Sequence, residues 1–311
     1  MRPTSEPAEN GNAANGATAP ARTPTPRLYQ LSALLPDFRA DATAAYEARV
    51  SGKPRGPISG LASIDRELSG AFSPGIHGIH GNAGAGKTAF GLQVVSSCQC
   101  PALLVTCEMS PVELLRRLTA RITGTYLGRL KSGEMPPDAA EALARQTIEA
   151  VPHLAICDAT TAPATPEYLL QAATATRRDA QHFLMLVDSL HSWAGALSAT
   201  HEAASEYETL NMGVAALQSL AARLRAPVLF IAERNRDSMK SGGLNAGAGT
   251  RKIEYAGETV LSLDRETDAP ENGAGEVAIK LRFSKNRNGA AGKTVALQFN
   301  GALQRFTEDA A

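Results

Sequence analysis

Eight consecutive residues, Gly81-Asn82-Ala83-Gly84-Ala85-Gly86-Lys87-Thr88, leave this chain few architectures to choose from. They match the pattern G-x-x-x-x-G-K-[ST], which has meaning only between a strand and a helix. The run Ile76–His80 before it reads as a strand, and Lys87–Ser97 after it reads as a helix. In that setting the glycines let backbone N–H groups curl around phosphate oxygens, and the helix N-terminus adds partial positive charge. Lys87 then reaches the β- and γ-phosphates of ATP or GTP, and Thr88 offers its hydroxyl to Mg²⁺. A second Gly-Lys-Thr, at Gly292–Thr294, does not qualify: Gly289 lies only three positions before Gly292, and the segment reads as a hairpin.

From Gly75 onward short apolar runs alternate with helical patterns. Strands are expected at Ile76–His80, Leu103–Thr106, Leu154–Cys157, Phe183–Val187 and Val228–Ala232. Helices are expected near Lys87–Ser97, Pro111–Ile122, Pro137–Ala150, Pro166–Asp179 and Ala203–Leu224. Doubly buried strands separated by helices imply an α/β fold with a mainly parallel sheet and right-handed crossovers. The tail then switches to period two. Val277, Ile279, Leu281 and Phe283, followed by Val295, Leu297 and Phe299, predict a C-terminal antiparallel hairpin.

Such a sheet gathers ligands beyond the carboxyl ends of its strands. Asp188 closes the run Phe183–Val187 there and is the candidate to support Mg²⁺; capping the next turn is the plainer role. Glu108 follows Leu103–Thr106 at the same edge, where a carboxylate can orient and deprotonate an attacking water. Taken alone it could equally open the helix that begins at Ser110-Pro111.

The charge balance bears on partners. With 31 basic and 31 acidic side chains the chain is no globally basic nucleic-acid coat. The balance is nevertheless uneven by segment. Residues 234–252 carry five basic side chains and one acidic, and residues 280–293 carry five basic and none acidic. Between them, residues 253–276 carry seven acidic and one basic. No apolar run approaches a membrane span. Residues 1–27 have almost nothing to bury and are expected to be disordered, with no secretory signal; four cysteines make a reducing cytoplasm the default. Cys98, Cys100 and Cys107 are spaced wrongly for zinc, so thiols are expected there. His77 and His80 read as structural imidazoles and Trp193 as a packing residue.

Several segments, in order, resemble one family. Ser59-Gly60-Leu61-Ala62-Ser63-Ile64-Asp65-Arg66, the phosphate loop, Cys107-Glu108-Met109-Ser110 and Arg129-Leu130-Lys131-Ser132-Gly133 come first. Leu186-Val187-Asp188-Ser189-Leu190, the Arg234-Asn235-Arg236 region and Ser284-Lys285-Asn286-Arg287-Asn288-Gly289 complete the series. Together they look like the RecA-type ATPase domain of replicative DnaB-type hexameric DNA helicases, over roughly residues 37–306. The resemblance implies a RecA-like P-loop core using ATP and Mg²⁺, Glu108 as catalytic glutamate and Asp188 as the Mg²⁺-supporting aspartate. It also implies that Lys285 and Arg287 reach the γ-phosphate of a neighbouring subunit's nucleotide. Such fingers demand a homo-oligomer, in this family a ring usually of six. The division that follows is a disordered tail at 1–36, a linker helix and hinge at 37–57 that latches the next subunit, and the ATPase domain at 58–311.

Three departures from the family pattern stand out. The family's N-terminal domain has no counterpart in residues 1–36, which puts coupling to primase in question. The strand Val228–Ala232 ends in Glu233 where the family usually has a glutamine that senses the γ-phosphate. A carboxylate ~6 Å from a phosphate charge would cost about 3 kcal/mol per charge at an effective dielectric near 20. Arg234 or Arg236 could neutralise it, or Glu233 could turn away; slow or switch-like hydrolysis is the expectation. Third, residues 237–252 form a glycine-rich loop in which Lys240, Arg251 and Lys252, with Arg236 nearer the nucleotide, could contact single-stranded DNA phosphates. Repeated around a ring of six, this segment would bring roughly two dozen positive charges to one channel. An ATP-driven helicase or single-stranded DNA translocase is the leading expectation. A regulatory RecA-type ATPase without unwinding activity is the other.

Overall fold

The computed structural model describes residues 28–198, 205–233, 256–266 and 275–308. The chain divides into two units, Met1–Glu47 and Ala48–Ala311. In the first, a 3₁₀ turn at Leu31–Leu34 leads into helix α1 (Leu35–Ser51), which continues into the second unit. Helix α1 covers the expected linker helix, and its side chains Leu35, Phe38, Tyr46 and Val50 are exposed.

In the second unit the described residues form a nine-stranded sheet of order β3-β2-β4-β5-β1-β6-β7-β8-β9. Strands β1 (Gly75–Gly81), β2 (Ala102–Thr106), β3 (Leu154–Asp158), β4 (Leu184–Asp188), β5 (Pro227–Glu233) and β6 (Thr259–Arg265) are parallel. Strands β7 (Glu276–Asn286), β8 (Thr294–Asn300) and β9 (Arg305–Glu308) extend the β6 side antiparallel. The fold is therefore α/β, mostly parallel with an antiparallel C-terminal set.

Alternation along the buried strands sorts their side chains onto two layers. Ile79, Leu104, Leu186, Leu229 and Ile231 pack with α2 (Ala62–Glu67), α3 (Lys87–Ser97) and α4 (Pro111–Thr123). Leu103, Val105, Met185, Val187 and Phe230 face α7 (Pro166–Arg177), α8 (Leu190–Ser198) and α9 (Glu206–Leu224). Trp193 on α8 is fully buried, and its indole N–H donates to Ala164 O at 2.8 Å, which explains why that core position tolerates a polar atom. The helices α5 (Leu127–Lys131) and α6 (Pro137–Ala150) complete the chain. Caps set the boundaries: Ser110 accepts from Glu113 N at the start of α4, and Ser205 with Glu208 forms a capping box on α9.

All five strands expected before the tail are present, as are the helices between them. The structure adds α2, α5, α8, β6 and β9. The expected hairpin is β7–β8, and the rejected Gly292-Lys293-Thr294 lies at its turn, where Gly292 N donates to Phe283 O. Among the described residues no helix is long and apolar enough to cross a membrane.

Candidate nucleotide-binding site

Strand register brings the candidate groups to one edge. Gly81 pairs with Glu233 across β1–β5, and Thr106 pairs with Asp188 across β2–β4. From β1 the chain crosses over β5 and β4 through α3 before returning as β2, so the phosphate loop opens where strand order reverses. The loop's Gly86 is the N-cap of α3 in the left-handed region (φ +84°), and a Cβ there would lie 2.9 Å from the Phe306 ring. Phe306 stacks on Phe299 at 4.5 Å, so the loop rests on an aromatic floor supplied by the C-terminal strands.

Lys87 Nζ donates to Gly81 O and Asn82 O, each at 3.0 Å, which folds the lysine back over the loop that it follows. Asn82, Ala83, Gly84 and Ala85 form the turn between them, closed by Ala85 N donating to Asn82 O. Thr88 Oγ1 donates to Asp188 Oδ2 at 2.8 Å. Burial pushes the Asp188 carboxyl up to about 6; the Thr88 hydrogen bond opposes that, and the nearby Glu108 carboxylate adds to it. A hydroxyl and a buried carboxylate side by side are the hard oxygen donors that Mg²⁺ takes, and a divalent cation would relieve the uncompensated charge. The donor set fits that ion.

Glu108 stands on a turn pinned by Thr106, whose Oγ1 donates to Met109 O at 2.6 Å and accepts from Met109 N. Its Oε1 accepts from Ser189 Oγ at 2.6 Å and from Ser192 Oγ at 2.7 Å. Glu233 does not turn away from the site: its Oε1 lies 3.9 Å from Lys87 Nζ, while its side chain remains 68% exposed. The counter-charge in the described residues is thus the phosphate-loop lysine itself. Together Ala83, Gly84, Gly86, Lys87, Thr88, Glu108, Asp188 and Glu233 line one cleft of ≈ 320 Å³.

That cleft contains side chains that sequence reasoning misses. Arg117, on α4, lines it, with Nη1 donating to Gln304 Oε1 at 2.7 Å and Nε to Glu113 Oε1 at 3.2 Å. Glu113 also accepts from Lys131 Nζ at 3.0 Å, joining α4 to the segment after Tyr126. In sequence Glu113 and Arg117 look like an ordinary surface i,i+4 pair, and nothing local marks their reach into the cleft.

Lys285 and Arg287 are not brought to this cleft. Asn286 pairs with Thr259, which pairs with His77, so the end of β7 sits at the amino edge of the parallel strands. Along β1 that level is four residue steps from Gly81, roughly 13 Å at ~3.3 Å per residue. The intervening asparagines are anchors. Asn286 Nδ2 donates to Glu67 O at 2.7 Å, and Asn288 Nδ2 donates to Ser73 Oγ at 2.7 Å. A Cβ on Gly289 would collide at 2.6 Å with both Asn286 and Glu67 O. Burial, then the neighbouring Arg287, pull the Lys285 ammonium below its ordinary range, and Glu258 works against them. Arg236, Lys240, Arg251 and Lys252 lie outside the described residues, as do Arg234 and the loop 237–252.

The fold and cleft agree with one family: the DnaB-like helicase C terminal domain family matches residues 56–308, and the chain belongs to it. Solved structures agree on the fold. A DnaB-like replicative helicase, described with its interactions with primase, superposes with a TM-score of 0.69 at 17% identity, covering 90% of this chain and 67% of that one. A separately solved ATPase domain also gives 0.69, at 16% identity over 87% of this chain and 98% of that one. A KaiC-like protein from Pyrococcus horikoshii OT3 gives 0.55 at 16% identity, over 83% and 100%. No curated protein matches the sequence significantly.

Proposed function

We propose that this chain is an ATP hydrolase of the DnaB type that moves on single-stranded DNA as a homo-oligomeric ring, six-membered by family resemblance. The carrying observation is the split between two edges of one sheet. Lys87, the Thr88–Asp188 pair and Glu108 share a cleft, while Lys285 and Arg287 sit at the opposite edge. A second copy is then needed to complete each site.

Backbone N–H groups of Asn82–Gly86 and the ammonium of Lys87 hold the triphosphate. Mg²⁺ held by Thr88 and Asp188 would neutralise phosphate charge. Glu108, fixed through Oε1 by two serine hydroxyls, takes the proton of the attacking water. Lys285 and Arg287 of the adjoining copy offset the charge that develops on the transferred phosphoryl group. The exposed apolar side chains of α1 support docking onto that neighbour. Arg236, Lys240, Arg251 and Lys252 track the DNA backbone within the channel.

The test is ATP turnover with and without single-stranded DNA, alongside sizing with an ATP analogue and an oligonucleotide. Stimulated turnover by an oligomer is expected. A monomer under every condition would break the shared-site reading. A second reading, a nucleotide-state switch that regulates a partner, is favoured by Glu233 beside Lys87, and it predicts turnover indifferent to DNA.

A further inference from the structure

The basic side chains at the end of β7 are faced by a carboxylate, that of Glu258. Glu258 precedes β6, and its backbone is tied on both sides: Glu258 N donates to Ile76 O at 2.8 Å, and Arg287 N donates to Glu258 O at 2.9 Å. Its side chain then meets the same residue again, with Arg287 Nη1 donating to Glu258 Oε1 at 3.0 Å. The stem is fixed as well. It lies over the bare backbone of Gly75 (φ +135°), where an added Cβ would collide with Glu258 Cγ. The glycine leaves the space that the Glu258 stem fills. The pair is partly shielded, with Glu258 24% exposed and Arg287 52%. The neighbouring Lys285 also feels this carboxylate.

We propose that Glu258 is a positioning residue for Arg287: it fixes the direction in which the guanidinium leaves the amino edge, so that the finger is aimed before a neighbouring copy docks. The assignment rests on the reading that Arg287 acts on a neighbour's nucleotide. A guanidinium carries five N–H donors in a planar fork, so a bond to Glu258 is compatible with further bonds to a phosphoryl oxygen. Without the carboxylate the arginine loses a bond that fixes its direction, and the freedom regained returns as a cost in the transition state. Since the ground-state nucleotide is held by the other copy's phosphate loop, the loss falls on kcat and not on KM.

The experiment compares full-length Glu258→Ala, Glu258→Gln, Arg287→Ala and the double variant Glu258→Ala/Arg287→Ala in steady-state ATP hydrolysis, at matched oligomeric state. Glu258→Ala is expected to lower kcat roughly ten- to a hundred-fold with KM unchanged, a size set by a misplacement of about 1 Å. Glu258→Gln, which keeps an acceptor without the charge, should lose less. The double variant should be no slower than Arg287→Ala alone, because a positioning residue has nothing left to position. Equal or faster turnover by Glu258→Ala while Arg287→Ala is slow would overturn the assignment, as would additive losses in the double variant. If Arg287→Ala itself turns over normally, the shared-site reading falls, and the assignment falls with it. Glu258→Gln keeps the stem on Gly75, so an unstable alanine variant does not shelter the idea.

Discussion

The two halves of the sheet present their chemistry at opposite ends. The parallel strands β1, β2, β4 and β5 deliver Gly81, Glu108, Asp188 and Glu233 at their carboxyl ends, beside the N-terminus of α3. The antiparallel strand β7 runs the other way and delivers Lys285 and Arg287 near His77, at the amino edge. One hydrogen-bonded sheet holds both, so neither set can swing to the other without breaking the ladder. Strand direction alone therefore sets the cleft-lining groups and the basic pair Lys285 and Arg287 at opposite edges. The antiparallel tail also contributes locally, since Phe299 and Phe306 floor the phosphate loop from strands β8 and β9.

The largest expected effects break this comparison directly. Arg287→Ala should lower turnover by about 10³–10⁵, the range for a lost arginine finger, and Glu108→Gln by about 10²–10⁴. Mixing the two inactive variants before assembly should restore activity. A cleft from the Arg287→Ala copy, beside an intact finger from the Glu108→Gln copy, makes one complete site. Mixtures as inactive as their components would show that both edges serve the same chain.

How far each half can be read in advance follows from the range of its interactions. Gly81–Thr88, Asp188 and Glu108 are legible because each stands at a fixed offset from an apolar run that can only be a buried strand. Strand β6 is not, since Thr259-Val260-Leu261-Ser262-Leu263 is short and is preceded by the acidic, small-residue stretch that hides its start. Its central place beside β1 comes from tertiary pairing, with Val260 and Leu261 buried, not from local pattern. Arg117 and Gln304 meet across 187 residues, and Ser192 meets Glu108 across 84, so no spacing rule reaches either contact. The Glu258–Arg287 bond spans 29 residues, and the opposed charge of segments 253–276 and 280–293 is its one trace in sequence.

His77 tests whether the halves unfold as one. It sits where β1 pairs with Leu229 of β5 on one side and Thr259 of β6 on the other. Nε2 lies 2.8 Å from Ser73 O, while Nδ1 is buried without a hydrogen-bond partner. Burial holds the imidazole down at about 4, below its ordinary 6.5, with the Ser73 bond opposing. Above pH 6.5 folded and unfolded chains are both neutral here, and the residue makes stability independent of pH. As pH falls from 6.5 toward 4 only the unfolded chain takes up the proton, so stability drops by about 1.4 kcal/mol per unit, roughly 3 kcal/mol by pH 4. The Asp188 carboxyl, pushed up to about 6, acts in the opposite sense over the same window. The slope should therefore be read as the difference in urea midpoint between the parent chain and His77→Gln. Separate transitions for the parallel and antiparallel halves at low pH would mean that their junction is weaker than the shared ladder implies.

The smallest expected effect concerns Glu233, a carboxylate that the parallel half sets beside the phosphate-loop lysine. At 3.9 Å from Lys87 Nζ it competes with phosphate oxygens for that ammonium, and its own charge opposes theirs. With the side chain 68% exposed, solvent screens most of the ~4 kcal/mol that two unit charges exert at this range with an effective dielectric near 20. Glu233→Gln should therefore tighten ATP relative to ADP and raise turnover only a few-fold, about two- to tenfold. The change should also shrink in high salt, because an exposed pair is screened within a Debye length of ~8 Å at physiological ionic strength. Unchanged turnover, nucleotide preference and DNA stimulation would leave Glu233 a solvated strand end. A gain that persists at high salt would instead place its effect in hydrogen bonding, where the amide donates and the carboxylate cannot.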